Sequence, residues 1–177
     1  MVAGAAALLR RQFPTYTAAQ IRAQLRQTTD NIYSVPGNAP FVGRLGTGRL
    51  NMVKALTATN VTEARVISSI FAPNRPAYAP GDAVSLTATV QNLLQPVSGL
   101  TVTLTSLSPY VTITQGSFAV GSLGTLGQLD NAANPFRFAV ATTGVPLNSV
   151  ATLRYRVTTS SGYQLDQLLE LQLNPDY

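Results

Sequence analysis

The residues of this chain that could give or take a proton are few and far apart. Seven carboxylates stand at Asp30, Glu63, Asp82, Asp130, Asp166, Glu170 and Asp176. Hydrolysis by a pair of carboxylates needs two of them within several ångströms, one kept protonated by burial. Asp166 and Glu170 are four apart on one strand. They share a face but lie too far apart to act together, so both are expected to be solvent-side charges. No D-x-D loop and no E-x-x-H pair occurs, which leaves a calcium or transition-metal site without support. Serines and threonines are abundant, yet a hydroxyl nucleophile requires a base beside it. The sequence contains no histidine and no cysteine, and Lys54 is its single lysine. A Ser-His-Asp triad, a thiolate nucleophile, a disulfide and a Cys- or His-ligated zinc are thereby excluded. Gly46-Thr47-Gly48 lacks the following lysine and the strand–turn–helix setting of a phosphate loop. Asn60-Val61-Thr62 fits the glycosylation sequon, a triplet common by chance. No catalytic, cofactor-binding or metal-ligating residue emerges from these types and spacings, and no cofactor is expected.

The elements that would have to position such residues fall into two unlike pieces. In 177 residues, 45% are hydrophobic and only 11% charged, enough apolar material for a proper core. No apolar run reaches the roughly 18 residues that crossing a bilayer requires, so no membrane span is expected. The net charge of +5 is unevenly distributed. Residues 1–57 hold seven basic residues against Asp30 alone, a net of +6, whereas residues 58–177 hold five basic and six acidic ones, a net of −1. The basic residues are spaced out and carry no interleaved aromatics, which argues against nucleic acid as a partner. A solvated face, or a surface that meets the rest of a larger domain, accounts for them better.

Met1–Phe13 is rich in Ala and Leu and closed by Pro14, which cannot continue a helix. Its first nine residues have almost no polar face, so a helix buried all round is expected. A signal peptide is the competing reading, but the charges follow the apolar run instead of preceding it. Thr17-Ala18-Ala19-Gln20 fits a capping box. Behind it Ala18, Ile21 and Leu25 share one face, with Arg22 and Arg26 on its flank. This helix should fade at Thr28-Thr29-Asp30. A loop with Pro36, Gly37, Pro40 and Gly43 follows, then the Gly46–Gly48 turn, then a short helix from Met52 to Leu56 capped by Asn51.

From Arg65 the hydrophobic period changes to two. Ala83–Gln91 alternates Val84, Leu86, Ala88 and Val90 with Ser85, Thr87 and Thr89, and Leu100–Leu107 sets Thr101, Thr103 and Thr105 outward. Phe136, Phe138 and Val140 share a face, as do Ala151, Leu153, Tyr155 and Val157. Ser160-Ser161-Gly162 reads as the turn before a last strand at Tyr163–Leu173. That strand sets Leu165, Leu169, Leu171 and Leu173 on one side around Gln167. With Val66–Phe71, Tyr110–Thr114 and Phe118–Val120, seven or eight strands are expected, the pattern of an antiparallel β-sandwich. The chain is therefore divided into a helical piece at 1–57, a linker at 58–65 and a sandwich at 66–177, an α+β class.

Residues 1–57 resemble the C-terminal end of a subtilisin-like serine protease (subtilase) catalytic domain. In that family a segment of the form G-T-S-M-A-x-P-x-V-A-G runs into a long buried helix, and Met1-Val2-Ala3-Gly4-Ala5-Ala6-Ala7-Leu8-Leu9 matches its end. Phe13-Pro14, the Thr17–Leu25 helix with Gln20-Ile21-Arg22, Thr28-Thr29 and the Gly46-x-Gly48-x-Leu50-Asn51 turn before Lys54-Ala55-Leu56 follow in family order. The resemblance implies a short helical remnant of the family's α/β catalytic domain. It places the nucleophilic serine about five residues before Met1, and the Asp, His and oxyanion-hole Asn further upstream. No family catalytic residue falls on this sequence, so the chain by itself is expected to be inactive. Its implied partner is the upstream catalytic portion, and its implied location is secreted or at the bacterial cell surface.

Residues 66–177 are similar to the immunoglobulin-like modules that follow such domains. Pro80-Gly81-Asp82 before the alternation of Val84, Leu86, Ala88 and Val90 carries that likeness. Such modules space domains, stabilise the protease, or bind protein substrate or a cell surface. A free-standing module that binds glycan or protein and a purely structural spacer are the alternatives. The helix Val2–Leu9 is expected to dock its apolar surface on the sandwich or, by self-association, on a second copy of the chain, since soluble monomers seldom leave such surface bare.

Overall fold

The Ala- and Leu-rich opening forms helix α1, Val2–Gln12, in the computed structural model, which describes residues 1–41 and 44–176. Gly43, read as part of a loop, and Tyr177, read as the end of the sandwich, lie outside the described residues. The helix stops where the Phe13 N–H donates to the Leu9 carbonyl, immediately before Pro14. Helix α2, Ala18–Gln27, starts with both bonds of a capping box. Gln20 N–H donates to Thr17 Oγ1 at 3.3 Å, and Thr17 N–H to Gln20 Oε1 at 2.9 Å. Helix α3, Met52–Thr57, is capped by Asn51, whose Oδ1 accepts the Lys54 N–H at 2.9 Å.

Ala5 and Leu9 of α1 are buried against Ile21 and Leu25 of α2 and Ala55 of α3. The expectation that α1 is buried all round is corrected here. Val2, Ala3, Gly4, Ala7 and Leu8 are exposed, because α2 and α3 cover only one stripe of the helix. A second small cluster joins Ala23 and Val61 to Leu93 and Leu94. This first unit comprises Met1–Glu63 with Leu93–Gln95, and the second Ala64–Asn92 with Pro96–Tyr177. The stretch read as a linker is folded within the first unit up to Glu63. Val61 is buried, and the buried Glu63 side chain is ion-paired with Arg26 and accepts from Gln27. Between α2 and α3 a loop is closed at its neck by a backbone bridge, Asp30 to Arg49. Gly48, at φ +136°, stands where a Cβ would run into the Asp30 carbonyl oxygen. Only glycine fits there.

The second unit is a β-sandwich built from β1 (Ala64–Ala72), β2 (Ala77–Tyr78), β3 (Ala83–Asn92), β4 (Val97–Ser106), β5 (Val111–Gln115), β6 (Ser117–Leu123), β7 (Gln128–Asp130), β8 (Phe136–Val140), β9 (Ser149–Thr158) and β10 (Gln164–Leu173). One sheet runs β1-β3-β8-β5, with β7 also paired to β3, and the other runs β2-β10-β9-β4-β6. The pairs are antiparallel except β2 with β10. Val84, Leu86, Phe136 and Phe138 from one sheet and Leu100, Val102, Leu104, Leu153 and Tyr155 from the other form one core. The strands β2 and β7 go beyond those read from the alternation. At two and three residues they are too short to show a period.

Candidate functional site

The fold disperses the side chains that could bind or react. Asp30 stands at the neck of the first unit's loop. Its carboxylate accepts from Lys54 Nζ at 2.7 Å, Asn51 Nδ2 at 2.9 Å and Arg49 Nη2 at 3.2 Å. These bonds, that of Lys54 foremost, hold its carboxyl well below the usual carboxylate range. Asp82 pairs with Arg75 at 3.3 Å and accepts the Ala79 N–H at 2.8 Å. Asp130 accepts the Ala132 N–H at 3.0 Å. On β10, Asp166 accepts from Arg156 Nε at 2.8 Å and Nη2 at 2.7 Å, with Arg154 at 3.8 Å. The Arg156 guanidinium lowers the Asp166 carboxyl below its ordinary range.

These four carboxylates, like Glu63, are committed to local turns or ion pairs. Glu170 and Asp176 are exposed. Asp166 and Glu170 share a face of β10, and at about 3.3 Å per residue they stand about 13 Å apart. Among the described residues no three His, Cys, Asp or Glu side chains gather as a metal site requires. The sandwich core buries two phenols. Tyr78 donates to the Pro73 carbonyl at 3.0 Å, and burial raises its hydroxyl above the ordinary value. Tyr155 is hydrogen-bonded to Ser69 Oγ at 2.9 Å, and burial pushes its phenol up to about 12.

What the fold does build is an apolar groove of about 670 Å³ on the first unit, between α1, α2 and the turn that joins them. Helical spacing explains it. Val2, Ala6 and Arg10 recur every four residues on α1, and Ala18, Ile21 and Leu25 recur at three and four on α2. Ile21 and Leu25 form the floor, only 6% and 9% exposed, while Val2 on the wall is 64% exposed. Arg10 and Arg22 stand at the margins. The Arg10 guanidinium donates to the Tyr16 carbonyl. Tyr16 in turn stacks on Phe13, ring centroids 4.7 Å apart, which fixes the turn that ends the groove. Sequence reasoning singles out Ala18, Ile21 and Leu25 as one face. It misses the α1 stripe because nine apolar residues in succession hide a four-residue spacing that only Arg10 marks.

No family model matches the chain, and no curated protein matches it. Solved structures give only low likeness. The native conformation of E. coli alpha-2-macroglobulin is 19% identical over 62% of this chain and 7% of that one, at a TM-score of 0.45. The sporulation control protein Spo0M of Bacillus subtilis is 19% identical over 63% of this chain and 49% of its own, at 0.41. The periplasmic chaperone SfaE is 16% identical over 62% and 58%, at 0.38. The chain thus spans less than half the length of the first two. Similarity at this level carries no argument about function. Among the described residues no helix is long and apolar enough to cross a membrane, α1 having 11 residues.

Proposed function

We propose that the chain is the non-catalytic C-terminal part of a secreted bacterial subtilisin-like serine endopeptidase, followed by an immunoglobulin-like accessory sandwich. The observation that carries this reading is the groove. A helix pair whose apolar face is left open within its own unit supports the reading, because the body of a larger domain would cover that face. The helices support the reading as well, because α1, the capped α2 and the Asn51-capped α3 occupy the segments on which the subtilase resemblance rests. In that setting the upstream portion supplies the Asp, His and Ser of an acyl-transfer triad. This chain supplies helices that complete the domain and a sandwich that spaces or stabilises it or helps to hold protein substrate or a surface.

The alternative, a free-standing module that adheres to glycan or protein, finds less support in the sandwich. Every aromatic ring described there is buried or half-buried, and Phe71, Tyr110, Phe118 and Tyr163 all pack on the core. Among the described residues of that unit, no exposed ring is offered to stack on a sugar. The test is the reading frame directly upstream of codon 1, followed by reaction with a fluorophosphonate serine probe. A G-T-S-M-A-x-P frame, with labelling of the joined product and none of the chain alone, is expected. A frame without that motif, or labelling of the chain alone, overturns the reading.

A further inference from the structure

We infer that the groove between α1 and α2 takes an apolar helical segment flanked by carboxylates. The inference rests on the groove being a docking surface, as proposed above, and adds the chemistry of its occupant. Residues 1–29 contain no acidic residue but carry Arg10, Arg11, Arg22 and Arg26. Of these, Arg26 is ion-paired with the buried Glu63. Arg10 spends part of its guanidinium on a neutral carbonyl. Arg22, exposed on the second turn of α2, has no carboxylate partner among the described residues. The two arginines that border the apolar floor therefore present uncompensated positive charge beside it.

Charge also decides against the rival occupant. Two copies of this unit facing each other across the groove would bring Arg10 and Arg22 towards the same arginines of the other copy. An isologous contact pairs a patch with itself, so like charge would meet like charge. A segment with leucine-type side chains for the floor and Asp or Glu at its margins meets both features at once. Complementary charge at a rim chiefly sets partner choice and rate, while the apolar floor holds the bound segment.

The test uses two 14-residue helical peptides that share a Leu stripe at i, i+3, i+4 and i+7. One carries two Glu at each end and the other two Lys. Binding to the full chain is read by fluorescence anisotropy at 20 mM and 500 mM salt. The Glu peptide is expected to bind at least tenfold more tightly at low salt, with the preference collapsing at high salt, where the screening length shortens to a few ångströms. Arg10→Glu with Arg22→Glu should reverse the preference, and Val2→Asn, a neutral polar change at an exposed wall position, should weaken both peptides. Circular dichroism confirms that the variants remain folded. Equal affinity for the two peptides, a preference untouched by the arginine changes, or no saturable binding overturns the inference while leaving the upstream reading frame to be judged separately. Concentration-dependent dimerisation that the Val2→Asn change abolishes would also overturn it, in favour of a second copy.

Discussion

Replacing Gln167 with leucine should cost the sandwich about 2–4 kcal/mol, although the change opens no large cavity and touches no charge. Gln167 lies on β10 in one sheet, and its carboxamide reaches β1 in the other. Val66 N–H donates to Oε1 at 2.8 Å, and Nε2 donates to the Val66 carbonyl at 3.0 Å. β1 is an edge strand paired with β3, and its register shifts immediately after Val66. One side chain thus gives Val66 the reciprocal pair of bonds that a neighbouring strand would have given. Val66 is only 6% exposed, so water does not readily replace a lost partner. Leaving a buried donor or acceptor unmatched costs roughly 1–3 kcal/mol, and leucine leaves one of each.

Urea unfolding followed by far-UV circular dichroism reads the loss, since the chain has no tryptophan to report it. Gln167→Glu is the informative companion. At neutral pH it keeps an acceptor, loses the donor and introduces a charge into a half-buried site. Its protonated form restores both bonds, so the folded state raises the carboxyl above the ordinary value of about 4.3. Stability gained from protonation is then full below about pH 4.3 and lost as pH rises through the raised folded value. The deficit relative to the parent should therefore shrink on acidification. A leucine variant within about 0.5 kcal/mol of the parent, or a Gln167→Glu deficit independent of pH, would refute the account of the bonds.

Two further outcomes follow from the sandwich core. Because burial raises Tyr155 from 10.0 to about 12, its neutral form is the one that the fold holds. The unfolded chain loses that proton first, so stability should fall between pH 10 and 12, by about 2–3 kcal/mol from this residue, and Tyr155→Phe should remove that share of the fall in urea titrations. Gly116→Ala should destabilise by about 1–3 kcal/mol, because its Cβ would come 2.6 Å from the Leu104 carbonyl oxygen and 2.8 Å from Ile113 Cγ2. A Gly116→Ala protein that melts with the parent would show that the backbone yields at the crossing from β5 to β6.

Regular elements are legible where a period repeats. The α2 capping box, the Asn51 cap and the alternation of β3, β4, β9 and β10 all stand where spacing places them, because burial on one face leaves its own period in the sequence. The misses have one cause in common. The one-sided burial of α1, the folding of residues 58–63 and the role of Gln167 depend on partners distant in sequence. Leu93 and Leu94 lie beyond the strand read at Ala83–Gln91, and they pack with Val61 and Ala23 in the first unit. Gln167 reads as a polar interruption among leucines, and only the bulged edge at Val66 gives that amide its purpose. The groove is half legible. Its α2 floor follows from i, i+3 and i+7, whereas the α1 wall requires knowing which stripe the other helices leave bare.

The sandwich presents few open edges to other chains, and this bears on what it does. A flat unpaired edge invites strand addition, and natural sheets blunt such edges with bulges, short strands or side-chain cover. The device differs at each margin. Gln167 and the Tyr163 hydroxyl, which donates to the Ala64 carbonyl, occupy the start of the β1 edge. β5 loses register between Ile113 and Gln115, and β6 loses it twice along β4. β2, the margin beyond β10, is two residues long. On the outward face of β9 and β10, Asp166 is matched by Arg154 and Arg156. A module that gripped an extended peptide by adding it to a sheet would need one of these margins straight and bare. The opposite holds in the first unit, where α1 and α2 leave apolar floor and unmatched arginine side by side. On the proposed reading, contact with the upstream portion falls to the helices, while the sandwich margins do not favour strand addition.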